Sequence, residues 1–107
     1  MTEKARTTDY TNEAQQRLIK LLFALFGDVV NGYPPAALAK ALDASASVIT
    51  RDLDNLRTAG VADRIEATGH WCLTPRLPQQ AIKVFSAIDT AQRRVDEARN
   101  RFTRNPD

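Results

Sequence analysis

Residues 35–60 read PAALAKALDASASVITRDLDNLRTAG, and the punctuation of that stretch decides the fold. Pro35 suits the first turn of a helix, where its missing N–H is one that would go unbonded anyway. A short helix is predicted over 36–42, with Leu38 and Leu42 on one face and Ala39 small enough to admit a second helix. Asp43-Ala44-Ser45 is a tight polar turn. Ser45 or Ser47 then caps a longer helix over about 46–59, its side-chain oxygen accepting an N–H of the opening turn. Ile49, Leu53 and Leu56 form the buried stripe of that helix, and Gly60 stands where a left-handed residue ends it.

Working outward, Thr11 or Asn12 is placed to cap an earlier helix. Leu18, Leu21, Leu22, Leu25, Phe26 and Val29 recur at three- and four-residue spacing and predict one broad apolar face, so that 18–26 reads as a buried core helix. Pro34-Pro35 ends it, leaving 29–33 as a loop or a strand of one or two pairs. Downstream, 61–66 and 70–74 are extended runs joined by Ala67-Thr68-Gly69, a turn with a well-placed glycine. Trp71 and Leu73 share one face of the second run, His70 and Cys72 the other. Pro75 and Pro78 close the hairpin, and from Gln79 onward no glycine or proline interrupts a long helix until the C-terminus nears.

The fold class expected is mainly α with a small β-hairpin wing: a winged helix-turn-helix over 11–78 followed by a long C-terminal helix over 79–103. Polar tails are expected at 1–10 and 104–107. In such a fold the second helix of the turn enters the DNA major groove, and its N-terminal side chains reach base edges. The candidate contacts on that helix are Ser45, Ser47, Val48, Thr50, Arg51 and Asn55. Arg51 has the reach to bind guanine bidentately, Val48 offers a methyl surface to thymine, and the hydroxyls can donate to phosphates. Arg64, His70 and Arg76 are the candidates on the wing. The plainer reading is that the hydroxyls cap and solvate a surface helix. Asp52 and Asp54 oppose a phosphate surface, so a winged-helix interaction module without DNA binding is the alternative function.

Fifteen basic and thirteen acidic residues give a net charge of +2, too mild to imply a nucleic-acid partner without a local arrangement. The single cysteine, Cys72, has no disulfide partner and no companion for a zinc site. With one histidine and no phosphate-cradling glycine loop, the chain is expected to be neither an enzyme nor a cofactor binder. His70 and Cys72 share a strand face, yet nothing orients them as base and nucleophile. No run is long and apolar enough to span a membrane, and residues 1–9 lack a signal sequence, so a cytoplasmic protein is expected.

The run PPAALAKALDASASVITRDLDNLRTAGVADR (34–64) and TGHWCLTPRL (68–77) resemble the N-terminal DNA-binding domain of the IclR family. Leu38-Ala39 match that family's second helix, and Ser47, Arg51, Leu53 and Leu56 its recognition helix. Trp71, Leu73, Pro75, Arg76 and Leu77 match its wing. TRDL (50–53) also resembles the DeoR family, but that family's His-Gly-Gly wing is absent, which favours IclR. Val48 stands where the IclR pattern has threonine, and Asp52 where it is often apolar. The resemblance implies double-stranded DNA as partner and transcriptional regulation as function. The family's effector domain has no counterpart in these residues, so small-molecule control is not expected; free-standing domains of this kind look like regulators of temperate phages and prophages.

In the last helix Ala81, Val84, Ile88, Ala91, Val95, Ala98 and Phe102 follow a heptad seam. An isolated helix is marginal in water, so this face must bury something. A homodimer through Val84, Ile88, Ala91, Val95, Ala98 and Phe102 is expected, the alternative being a helix folded against the first helix of its own chain. Arg94, Arg99 and Arg101 flank the seam and would repel in a simple two-stranded coil, while Ile82 and Phe85 beside it are placed to pack on the preceding domain.

Overall fold

Asn12 starts the first helix: its side-chain oxygen accepts the Gln15 N–H at 3.0 Å, and α1 runs over Glu13–Leu25. The computed structural model describes residues 8–104 of the chain; the expected tails at 1–7 and 105–107 lie outside them. The chain divides into two units, one ending at Thr74 and the other beginning at Pro75.

Leu21 and Leu25 of α1 are fully buried, and Leu18 and Leu22 half-buried. Phe26 and Val29 are not on this face, contrary to the spacing, and both are exposed. The helix ends with Phe26 as its cap, so the periodicity that continued through Val29 has no helix to carry it. Ile19 and Phe23 are exposed too, which makes α1 half-buried rather than a core helix. Asp28 organises the exit loop: its carboxylate accepts from the Val30 and Asn31 N–H groups at 3.1 and 2.9 Å.

Helix α2 covers Pro35–Ala41 and α3 covers Ala46–Thr58. Between them Asp43 takes a left-handed φ of 51°. The Ala44 N–H returns to the Ala39 carbonyl and the Asp43 N–H to the Lys40 carbonyl, the paired bonds of a Schellman ending. The same pattern ends α3, where Gly60 at φ 80° supplies the left-handed residue. Ser45 rather than Ser47 caps α3, accepting the Val48 N–H at 3.2 Å. Ala39 is buried where α2 meets α3, and Ile49, Leu53 and Leu56 complete the core with Leu38.

Strands β1 (Ala62–Arg64) and β2 (Trp71–Leu73) pair antiparallel, Ala62 opposite Leu73 and Arg64 opposite Trp71. They are shorter than the extended runs in the sequence, because the Ile65 carbonyl already accepts from Thr68 and Gly69 and so opens the turn. Tyr33 adds a bridge to the other edge of β2, exchanging both backbone bonds with Trp71 at 2.9 and 2.8 Å. Gly32 makes that bridge possible: its φ is +67°, and a Cβ there would run into the Trp71 carbonyl.

The second unit is α4, Arg76–Thr103. It begins before Gln79, because Pro78 falls in the first turn, where no N–H is needed. None of its residues is buried, and Ile82, Val84, Phe85, Ile88, Val95 and Phe102 are exposed. Among the described residues the fold is therefore mainly helical, with one two-stranded hairpin and a long C-terminal helix. No helix among them is long and apolar enough to cross a membrane.

Candidate functional site

The outer face of α3 is set by what its inner face buries. With Ile49, Leu53 and Leu56 turned inward, Ser47, Thr50, Arg51, Asp54, Asn55 and Thr58 are exposed together. No ion pair holds the Arg51 guanidinium among the described residues, and only its backbone carbonyl is engaged, by the Asn55 side chain at 3.0 Å.

The hydroxyls are less free than their exposure implies. Thr50 donates its proton back to the Ala46 carbonyl at 2.9 Å, so its oxygen is left to accept rather than to bind a phosphate as donor. Ser45 Oγ and Ser47 Oγ lie 3.3 Å apart, and Ser45 already accepts from Val48. One hydroxyl proton of that pair stays available to a ligand. Val48 is half-buried at the edge of the outer face and lines a cleft of about 550 Å³ with Arg17, Lys20, Asp43 and Ser45.

Asp52 is the main departure from the sequence reading. It is only 8% exposed, not part of the outer surface, and Arg17 of α1 grips it in a two-pronged pair. Arg17 Nε donates to Oδ2 at 2.6 Å and Nη2 to Oδ1 at 3.3 Å. The Asp52 hydrogen bond raises the Arg17 pKa above its ordinary value, against the opposing effect of desolvation and with help from the charges of Asp52 and Glu13. Asp54 is exposed but pairs with Arg57 on the same helix. Neither carboxylate is left as a lone negative charge beside Arg51.

The wing candidates do not converge. Arg64 stands opposite Trp71 in the register, and Asp63 opposite Cys72. Because side chains alternate along a strand, Arg64 and His70 project from opposite faces of the hairpin. Arg64 pairs with Glu66 at 3.1 Å and reaches over the turn toward Gly69. The His70 ring instead meets the Asn31 carbonyl, Nδ1 to O 3.2 Å, which ties it to the exit loop of α1. Arg76 is the first residue of α4 and belongs to the other unit, so it is not part of the hairpin.

Three further side chains position the site. Arg17 bolts α1 to α3 from 35 residues away. Arg57 lies over the Trp71 ring, 5.4 Å from its centroid, and so couples the end of α3 to the hairpin. Tyr33 supplies the bridge to β2. Arg17 has no signal in the sequence; Arg57 leaves a trace as a basic residue in the last helical turn, and Tyr33 ends the run read as a loop or a strand of one or two pairs. Among the described residues no cluster of histidine, cysteine or carboxylate side chains is arranged to hold a metal. No family model, no curated protein and no solved structure matches the chain.

Proposed function

We propose that the unit ending at Thr74 is a winged helix-turn-helix that binds double-stranded DNA, and that the chain is a cytoplasmic transcriptional regulator of IclR type. In this reading α2, its turn and α3 are the helix-turn-helix, the hairpin with Tyr33 is the wing, and α3 enters the major groove. The observation that carries it is the outer face of α3. It presents an unpaired Arg51 between Ser47 and Asn55, while the neighbouring carboxylates are drawn off by Arg17 and Arg57.

Arg51 is the base reader, ready to fork onto guanine O6 and N7. The Ser45–Ser47 pair and the first turn of α3 address a phosphate, where backbone N–H groups and the helix dipole favour an anion. Asn55 contributes its side-chain carbonyl and one N–H, the other N–H being held by the Arg51 carbonyl. The wing serves with Arg64 at its tip; His70 holds the fold instead of contacting DNA. No catalytic step and no cofactor enter this reading. The interaction-module alternative leaned on Asp52 and Asp54, and with Asp52 engaged inside the unit half of that ground is gone.

Arg51→Ala tests the proposal on a DNA bound by the wild-type chain. The expected loss is about 1–3 kcal/mol of affinity, or ~5- to 150-fold, with relaxed preference at one guanine. Unchanged affinity on every DNA tested would show that α3 is not the reader.

A further inference from the structure

We propose that α4 pairs with α4 of a second copy of the chain as an antiparallel two-helix coil, matched end to end. The need for an occupant comes from exposure. Val84, Ile88, Val95 and Phe102 are 57%, 56%, 54% and 84% exposed, and they lie on one heptad seam. A helix with a solvated apolar stripe gains its stability by covering it.

Charge selects the partner's direction. In a parallel pair each position before an a residue faces the position after the next d residue of its partner. Arg94 would then meet Arg99 of the other copy, and the clash would occur twice by symmetry. In an antiparallel pair like positions face each other instead. When the two helices overlap along the whole of Arg76–Thr103, Arg94 opposes Ala87, Arg101 opposes Gln80 and Arg99 opposes Pro78. No arginine faces another.

The same full overlap makes sense of the alanines. Its layers are Leu77 with Phe102, Ala81 with Ala98, Val84 with Val95, and Ile88 with Ala91, each repeated by the two-fold axis. In the two central layers the large Ile88 is set against the small Ala91. A parallel pair would stack Ile88 on Ile88 and Ala91 on Ala91, alternating wide and narrow layers. Shifting the antiparallel pair by a heptad toward the C-terminus brings Arg94 against Arg94 and leaves both helix starts uncovered. The charge pattern favours the antiparallel direction, and the register that pairs the whole helix leaves the least of the seam uncovered.

The test uses the full chain without DNA, so its outcome is separate from that of the DNA-binding proposal. Sedimentation equilibrium of the wild type is expected to give the mass of two chains; a single-chain mass overturns the proposal. For direction, a nitroxide is placed at Asn100→Cys in a Cys72→Ser chain, and the distance between copies is read by pulsed dipolar spectroscopy. Residue 100 faces residue 79 of the other copy, so the labels should sit about 32 Å apart at 1.5 Å of helix per residue. A separation near the helix spacing of about 10 Å would mean a parallel pair and contradict it. Arg94→Glu gives a readout that needs no cysteine. Facing Ala87, it should leave the dimer dissociation constant unchanged, whereas in a parallel pair it would turn repulsion into attraction and tighten the dimer.

Discussion

Asp43 holds a conformation that favours glycine, at the end of the turn that sets α2 against α3. A left-handed L-residue carries a steric penalty of about 1–2 kcal/mol, partly offset for aspartate by its short polar side chain. Asp43→Gly should therefore stabilise the first unit by about 0.5–1 kcal/mol, the relief being reduced by glycine's greater freedom when unfolded. A thermal melt reads this directly. Asp28 makes a prediction in pH. Hydrogen bonds from the Asn31 backbone and side chain, and then from the Val30 backbone, hold its pKa below the ordinary aspartate value. A depressed folded-state value means that the stabilising contribution is complete above the unfolded value and is lost as pH falls through the folded one. Asp28→Ala should melt below the wild type at neutral pH, and the two curves should converge in strong acid.

At the scale of elements, Gly32 and Leu53 mark the two places where the first unit is most easily broken. Gly32→Ala forces a Cβ into the Trp71 carbonyl at a left-handed φ, so it should cost more than the ~1–2 kcal/mol of backbone strain alone. Loss of hydrogen-exchange protection at Tyr33 and Trp71, with α1 to α3 still protected, would locate the damage at the bridge. Leu53 is fully buried, and Leu53→Ala should destabilise by about 2–5 kcal/mol in a denaturant titration. The helices and the hairpin were legible in the sequence because their signals are local: Asn12 and Ser45 as caps, Gly60 and Gly69 as turns, Ile49-Leu53-Leu56 as a stripe. Arg17–Asp52 and Arg57–Trp71 were not, since a pair across elements leaves no periodic trace. Pro78 misled for a physical reason, as proline reads alike as a helix breaker and as a first-turn residue. Likewise Phe26 and Val29 kept the spacing of a helix that had already ended. On the candidate site, Arg51 and its exposed neighbours could be read from the stripe they oppose. The inward turn of Asp52, the cleft position of Val48 and the opposed faces of Arg64 and His70 required the packing.

For the whole molecule, a net charge of +2 leaves little long-range attraction to DNA, so the proposed DNA binding rests on the local face of α3. The geometry supplies that locality by consuming acidic charge inside the first unit. Breaking the Arg17–Asp52 pair should therefore act on DNA binding as well as on folding. Arg17→Met at a temperature where the unit stays folded leaves Asp52 negative and unpaired beside Arg51, and should weaken DNA affinity, whereas Arg17→Met with Asp52→Leu should restore it. Isothermal binding of both variants to one DNA checks this. The most direct test of the central claim is selection of bound sequences from random double-stranded DNA with the wild-type chain and with Arg51→Ala. The account predicts an enriched motif containing a guanine whose preference disappears in Arg51→Ala. Absence of any enriched sequence with the wild type, or a motif identical for both chains, would contradict it.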